Sequence, residues 1–206
     1  MAHRRRPVTA AFAMNTAVLA VEVVGALKAS SLSLLLDGVH NLSDEIALAL
    51  LVLAYSLRAG ISGRLLQSAN LFNSLGLTAI CGFLGWKVLE RLVQPVPVLG
   101  AIPVAAGLLG AIGNWGVARA LRESAREDAA IRLAYVHNLG DALLSLAPVL
   151  AGVLILATGR PIFDPVIGLA VVGVIVVTTV RSALGSRREL LWPENVVCSH
   201  AEPRSS

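Results

Sequence analysis

The sequence predicts an all-α membrane protein with six transmembrane helices and both termini cytoplasmic. Three observations carry that expectation. Of 206 residues, 56% are hydrophobic and only 15% charged, with mean hydropathy +0.75, whereas soluble domains are about 25% charged. The apolar residues gather into six runs of about 20 or more, enough to cross a hydrocarbon core ~30 Å thick. Sorting Lys and Arg onto alternate sides groups 13 with the N-terminal Arg4-Arg5-Arg6 cluster and leaves Lys28, Lys87, Arg91 and Arg160 opposite, as the positive-inside rule requires.

The first span runs from about Thr9 to Leu27 and stops at Lys28-Ala29-Ser30. Asn15 and Glu22 interrupt it, which sets aside a cleaved signal peptide, whose central region is plainly apolar. The second runs from about Leu32 to Leu57, before Ala59-Gly60-Ile61-Ser62-Gly63; the third runs from about Leu65 to Trp86, before Pro95-Val96-Pro97. The fourth covers about Val98 to Val117 and gives way to the charged stretch from Arg119 to Asp128. The fifth covers about Ala129 to Ala157, closed by Thr158-Gly159-Arg160-Pro161, and the sixth about Pro165 to Leu184. Lacking polar alternation and exceeding ~10 residues, these runs read as helices rather than barrel strands. The expected organisation is a basic cytoplasmic N-terminus over 1–8, a membrane domain over 9–184 and a short cytoplasmic tail over 185–206.

Several function classes drop out. So apolar a chain does not stay disordered. Cys81 and Cys198 form no C-x-x-C pair, so a disulfide framework and a thiolate zinc finger lack material. The formal charge of +4 is topological, and with 4% aromatic residues no nucleic-acid partner is expected. Cys81 reads as a packing residue, Cys198 as a free cytoplasmic thiol, His3 and His200 as solvated, and Trp86 and Trp115 as interfacial anchors or packing residues.

Charges inside apolar spans carry the functional signal. Asp37, Asp44, Glu45 and Asp141 fall in the second and fifth spans, at ~3 kcal/mol for each unpaired central Asp. Two histidines share those spans, each followed four residues on by Asp: His40-Asn41-Leu42-Ser43-Asp44 and His137-Asn138-Leu139-Gly140-Asp141. Four residues advance a helix by ~400°, so each His and its Asp share a face one turn apart. If the second and fifth helices pack together, two imidazoles and two carboxylates converge, the donors a tetrahedral divalent cation takes. With five Asp in the chain, the coincidence has odds below about one in a thousand. The plainer alternative is that each His bonds a neighbouring carbonyl and each Asp binds Asn or Ser across helices.

Asp37, one turn before His40, is either an acceptor behind an imidazole or a proton acceptor at the site's edge, or it is solvated near the helix end. Glu45 points ~100° from Asp44, toward another helix or water. Glu22 and Asn15, seven apart on one face, either line the same cavity, on a proton pathway, or hydrogen-bond between helices.

At these residues the chain resembles the cation diffusion facilitators. The segments Ser31 to Asp44 and Tyr135 to Ser145 are similar to that family's second and fifth helices. Asn15, Glu22 and Gly25 fit its first, Asn73 and Trp86 through Pro97 its third, Asn114 its fourth, and Asp164-Pro165 its sixth. The resemblance implies that His40, Asp44, His137 and Asp141 are transport-site ligands and that the protein exports zinc or related divalent ions in exchange for protons. It implies a homodimer as well. Lys87 stands where the family often has Glu, no histidine-rich loop separates the fourth and fifth spans, and the short subgroup without the C-terminal cytoplasmic domain is the closer comparison.

The expectation is thus a Zn²⁺/H⁺ antiporter in a lipid bilayer, taken to be a prokaryotic plasma (inner) membrane, and no enzyme. No catalytic cofactor is expected; the cargo is Zn²⁺, with Co²⁺, Cd²⁺, Ni²⁺ or Fe²⁺ as substitutes, since affinity alone discriminates poorly. A membrane metalloenzyme using the same four residues finds no further general base and no H-E-x-x-H. A non-transporting subunit with a structural metal site is the remaining alternative.

Overall fold

The computed structural model describes residues 2–56, 63–126 and 129–189. The tail from residue 190, with Cys198 and His200, lies outside them, as do Arg58 and residues 59–62 of the breaker that ends at Gly63. The side chains of His3, Arg4, Arg5, Arg6 and Asn73 are likewise outside the description.

The described residues are mostly helical, with no strand among them. In order they form α1 (Ala2–Ala29), α2 (Leu32–Ser56), α3 (Gly63–Val93), α4 (Ala101–Leu121), a 3₁₀ turn (Ser124–Arg126), α5 (Ala129–Leu144), α6 (Leu146–Thr158) and α7 (Phe163–Glu189). Four runs are long and apolar enough to cross a membrane: Thr9–Ala29, Ala101–Leu121, Ala134–Thr158 and Phe163–Arg181. They coincide with the expected first, fourth, fifth and sixth spans. α2 carries Asp37, His40, Asn41, Asp44 and Glu45 within its length, and these polar groups lower its hydropathy.

The boundaries differ from expectation in three instructive places. α3 continues two turns past Trp86 to Val93, because nothing before Pro95 stops it. α4 starts at Ala101 rather than Val98, and Leu99 just before it sends its N–H to the Ala29 carbonyl of α1 at 3.2 Å. The fifth span is two helices. Pro148 offers no N–H to the Leu144 carbonyl and crowds it, so α5 ends at Leu144 and α6 starts at Leu146, with Ser145 between.

The turn between α1 and α2 is closed by backbone chemistry. Ser30 takes a left-handed φ of 55°, letting Ser31 N–H return to the Ala26 carbonyl at 3.1 Å, a Schellman closure. α2 then starts under two caps. Ser31 Oγ accepts from Leu34 N–H, the ordinary N-cap bond. Asp164, at the start of α7 and fully buried, accepts from Ser31 Oγ at 2.6 Å, Leu32 N at 2.7 Å, Ser33 N at 3.3 Å and Ser33 Oγ at 2.7 Å. A carboxylate from another helix thus satisfies donors that a helix start leaves orphaned and complements the dipole there.

Packing follows small residues and apolar faces. α1 lies against α2 and α4, α4 against α5 and α6, and α3 against α7, which also meets α2 and α6. One apolar cluster joins α2, α3 and α7 through Leu36, Cys81, Val88 and Val171; another joins α1, α2, α4 and α5 through Ala11, Leu48, Val117 and Ile131. Cys81 is buried there as a packing residue. Outward, Leu27, Phe83, Ile112 and Leu143 are exposed, a surface suited to lipid rather than water. Trp86 and Trp115 are exposed too.

The α4–α6 contact is backbone on backbone. A Cβ on Gly152 would strike the Gly100 carbonyl and lie 2.7 Å from Val104 Cγ2 and 3.1 Å from Val104 N. Gly152→Val should therefore destabilise the protein by about 2–3 kcal/mol through overpacking, measured as earlier thermal unfolding in detergent. Unchanged melting would show that the contact yields.

Candidate metal centre

The two H-N-L-x-D strings lie on α2 and α5, which barely touch along their backbones and meet through these side chains. His40 Nε2 lies 3.1 Å from Asp141 Oδ1, and His137 Nε2 lies 2.6 Å from Asp44 Oδ1. Each histidine thus pairs with the aspartate of the opposite helix. His137 Nε2 is also 3.9 Å from Asp141 Oδ2. The imidazoles stand edge to face, with centroids 5.5 Å apart and planes at 62°.

One ligand atom from each residue falls within 4.8 Å of all the others. Zinc bonds of about 2.0–2.2 Å in a tetrahedron separate donors by about 3.4 Å, so a modest side-chain contraction converts the cluster into a coordination sphere. Asp44 Oδ2, Asp141 Oδ2 and His40 Nδ1 are buried without a hydrogen-bond partner, a costly condition for polar atoms away from water. His40, Asp44 and Asp141 are buried, whereas the His137 side chain is 46% exposed. The cluster is closed on the His40 side and open at His137.

A belt of polar contacts holds α2 behind the cluster. Asn41, next to His40, donates to Glu22 Oε2 on α1 and accepts from Asn114 Nδ2 on α4 at 3.4 Å. Asn114 donates also to Ser145 Oγ at 3.3 Å, at the α5–α6 junction. One turn along, Asn15 Nδ2 donates to the Asn41 carbonyl at 3.2 Å and to Glu45 Oε2 at 2.9 Å, and Thr16 Oγ1 donates to Glu45 Oε1. Glu45 therefore faces α1, as its angular offset from Asp44 predicts.

The other sequence-predicted residues are placed as follows. Glu22 and Asn15 are both fully buried and hydrogen-bond between helices. Asp37 is 1% exposed, so it is not solvated near a helix end. It neighbours Ser145, Glu22 and His40, and His40 Nδ1 donates no hydrogen bond to it. Lys87 lies away from the cluster, paired at the surface with Glu90 at 2.8 Å.

Sequence reasoning passed over Asn41, Ser145 and the capping role of Asp164. Asn41 and Asn138 occupy the same place in the two strings, yet Asn138 Nδ2 returns to its own helix at the Ala134 carbonyl, 2.9 Å away. The duplicated string marks the ligands and leaves the asparagines ambiguous.

Comparison with known proteins bears on this arrangement. The sequence model described as cation efflux transmembrane domain matches residues 8–191. The zinc transporter ZitB of Escherichia coli (strain K12) is 32% identical over 190 residues, 88% of this chain and 61% of its own. ZitB of Pectobacterium atrosepticum is 31% identical over 171 residues, 79% of this chain and 53% of its own. The cadmium, cobalt and zinc/H(+)-K(+) antiporter of Bacillus subtilis (strain 168) is 28% identical over 170 residues, 78% of this chain and 55% of its own. The chain spans about three-fifths or less of the length of these relatives.

Proposed function

The chain is an integral membrane protein of the cation efflux family, and from that premise we propose that it exports a divalent metal, Zn²⁺ first, in exchange for protons. The observation that carries the reading is the convergence of His40, Asp44, His137 and Asp141 to within 4.8 Å. Two nitrogen and two oxygen donors suit zinc; cobalt, cadmium, nickel and ferrous iron share enough of that preference to compete. The metal here is cargo, and the protein is a transporter rather than an enzyme.

The topology proposed with it has six spans, α5 and α6 together forming the fifth, with both termini cytoplasmic in the inner membrane of a prokaryote. The membrane domain is 9–184, flanked by the basic segment 1–8 and the tail 185–206. A homodimer is the proposed assembly.

Metal and protons use the same atoms. Zinc takes neutral imidazole and ionised carboxylate, so loading the site expels protons and acid displaces the ion. An exposed His137 gives the site its opening, and the buried residues close the opposite side. Glu22, Asn15 and Asp37, in the polar belt behind the ligands, are proposed to hold α2 in register, with the carboxyl groups of Asp37 and Glu22 accepting protons at the site's edge. Closing around bare ligands is costly without ion or proton, which couples the two movements.

Proteoliposomes carrying a zinc dye and a pH dye test this. Zinc entering should drive protons out, and zinc affinity should fall as pH drops. Protonation of an imidazole or a carboxylate removes a ligand, so acid and zinc compete for the same atoms and lowering the pH should progressively displace the metal. Zinc flux without a proton signal would sink the antiport; no zinc movement by well-folded protein would sink the zinc assignment.

A further inference from the structure

Beyond the metal centre, a cavity of about 440 Å³ opens at the C-terminal end of α4, lined by Arg119, Ala120, Arg122, Glu123 and Arg126. The arginines recur at intervals of three and four. Arg122 keeps right-handed helical angles, φ −52° and ψ −45°, and returns its N–H to the Arg119 carbonyl. Ser124–Arg126 continues as a 3₁₀ turn. The three guanidinium groups therefore project from one side of the chain, all exposed. Among the described residues none of them enters an ion pair.

The same face runs back along α4. Trp115, Ile112 and Leu108 precede Arg119 by four, seven and eleven residues, spacings that return to one helical stripe. They are 56%, 64% and 43% exposed. One ridge thus passes from aliphatic side chains through an indole to a basic pocket, within a run that is long and apolar enough to span. That sequence matches a phospholipid read from acyl chain through the interface to phosphate. Arginine is the side chain suited to the last position, because its fork engages two phosphate oxygens at once. Glu123 takes one of the pocket's charges, leaving two net positive charges among the lining residues.

We propose that this ridge and pocket bind an anionic glycerophospholipid, its phosphate among Arg119, Arg122 and Arg126 and its acyl chain along Trp115, Ile112 and Leu108. The site is independent of the metal ligands.

The test uses the full chain with Trp86→Phe and Trp192→Phe, so that Trp115 is the remaining indole, in phosphatidylcholine vesicles. Brominated phosphatidylglycerol should quench Trp115 at a mole fraction roughly 25-fold below that needed of brominated phosphatidylcholine, about fivefold for each net charge. Replacing the three arginines by glutamine should abolish the preference, and replacing them by lysine should retain most of it. Equal quenching by the two lipids overturns the proposal, as does a preference that survives the glutamine replacement. If soluble glycerol phosphate at millimolar concentration erases the preference, the pocket takes a free phosphate and the lipid assignment is wrong. Should the triple variant fail to reconstitute, Arg122→Gln alone should cost about fivefold, and an unchanged preference there is equally decisive against it.

Discussion

Asp141→Ala is expected to bring zinc flux down to that of protein-free vesicles without unfolding the protein. Asp141 is 4% exposed and touches both histidines, His40 through one oxygen and His137 through the other. No other residue of the cluster faces both imidazoles in this way among the described contacts, so its loss removes a ligand and the bridge between the two cross-helix pairs. Zinc affinity should fall by on the order of a hundredfold or more, since even residues that only orient ligands are worth 10–100-fold. Stability should move the other way. An ionised carboxylate at membrane depth costs ~3 kcal/mol, and alanine relieves that cost. Thermal scans discriminate these effects: at zinc one hundred times the parent's Kd the parent gains about 2.7 kcal/mol, and the variant gains about 0.4 kcal/mol or less. A variant that melts early even without metal would reassign Asp141 from ligand to structural residue.

The second large effect belongs to a residue distant from the ligands in sequence. Asp164→Ala should destabilise the protein by about 3 kcal/mol or more, because four donors at the start of α2 lose their acceptor together and each stranded buried donor costs about 1–3 kcal/mol. Asp164→Asn should recover part of the loss, as its one amide oxygen still accepts. The readout is the midpoint of thermal unfolding together with the yield of monodisperse protein. Because α2 carries His40 and Asp44, the surviving folded fraction should also bind zinc less tightly. Equal stability of Asp164→Ala and the parent would show that water replaces the carboxylate there, contrary to the burial of Asp164.

What the sequence discloses and what it withholds divide along the range of the interactions. The ligand set is a matter of helix periodicity: His and Asp four apart must share a face, and a duplicated pair needs only two helices brought together. The first, fourth, fifth and sixth spans are equally local, being plain counts of apolar residues. Pro148 was a local signal as well, and it marks the division between α5 and α6 within a run that is continuously apolar. Asp164 is different. Nothing near it in the chain says that its partners are Ser31, Leu32 and Ser33, which lie more than 130 residues away. Asn41 and Asn138 make the same point within one motif, since identical neighbours send one amide across to α1 and the other back along its own helix.

The missing N–H of Pro148 has a mechanical meaning. In an unbroken helix, bending between Asp141 and Val149 stretches or breaks a ladder bond at every carbonyl on the outer side of the bend. Here the Leu144 carbonyl has no ladder bond to lose, so the rod is jointed at Ser145. Above the joint, α6 is clamped to α4 where Gly152 meets Gly100 and Val104. Below it, α5 carries His137 and Asp141. The ligand-bearing segment and the clamped one are therefore separated by a carbonyl already outside the ladder, and a bend there breaks one hydrogen bond fewer than it would in an unbroken helix.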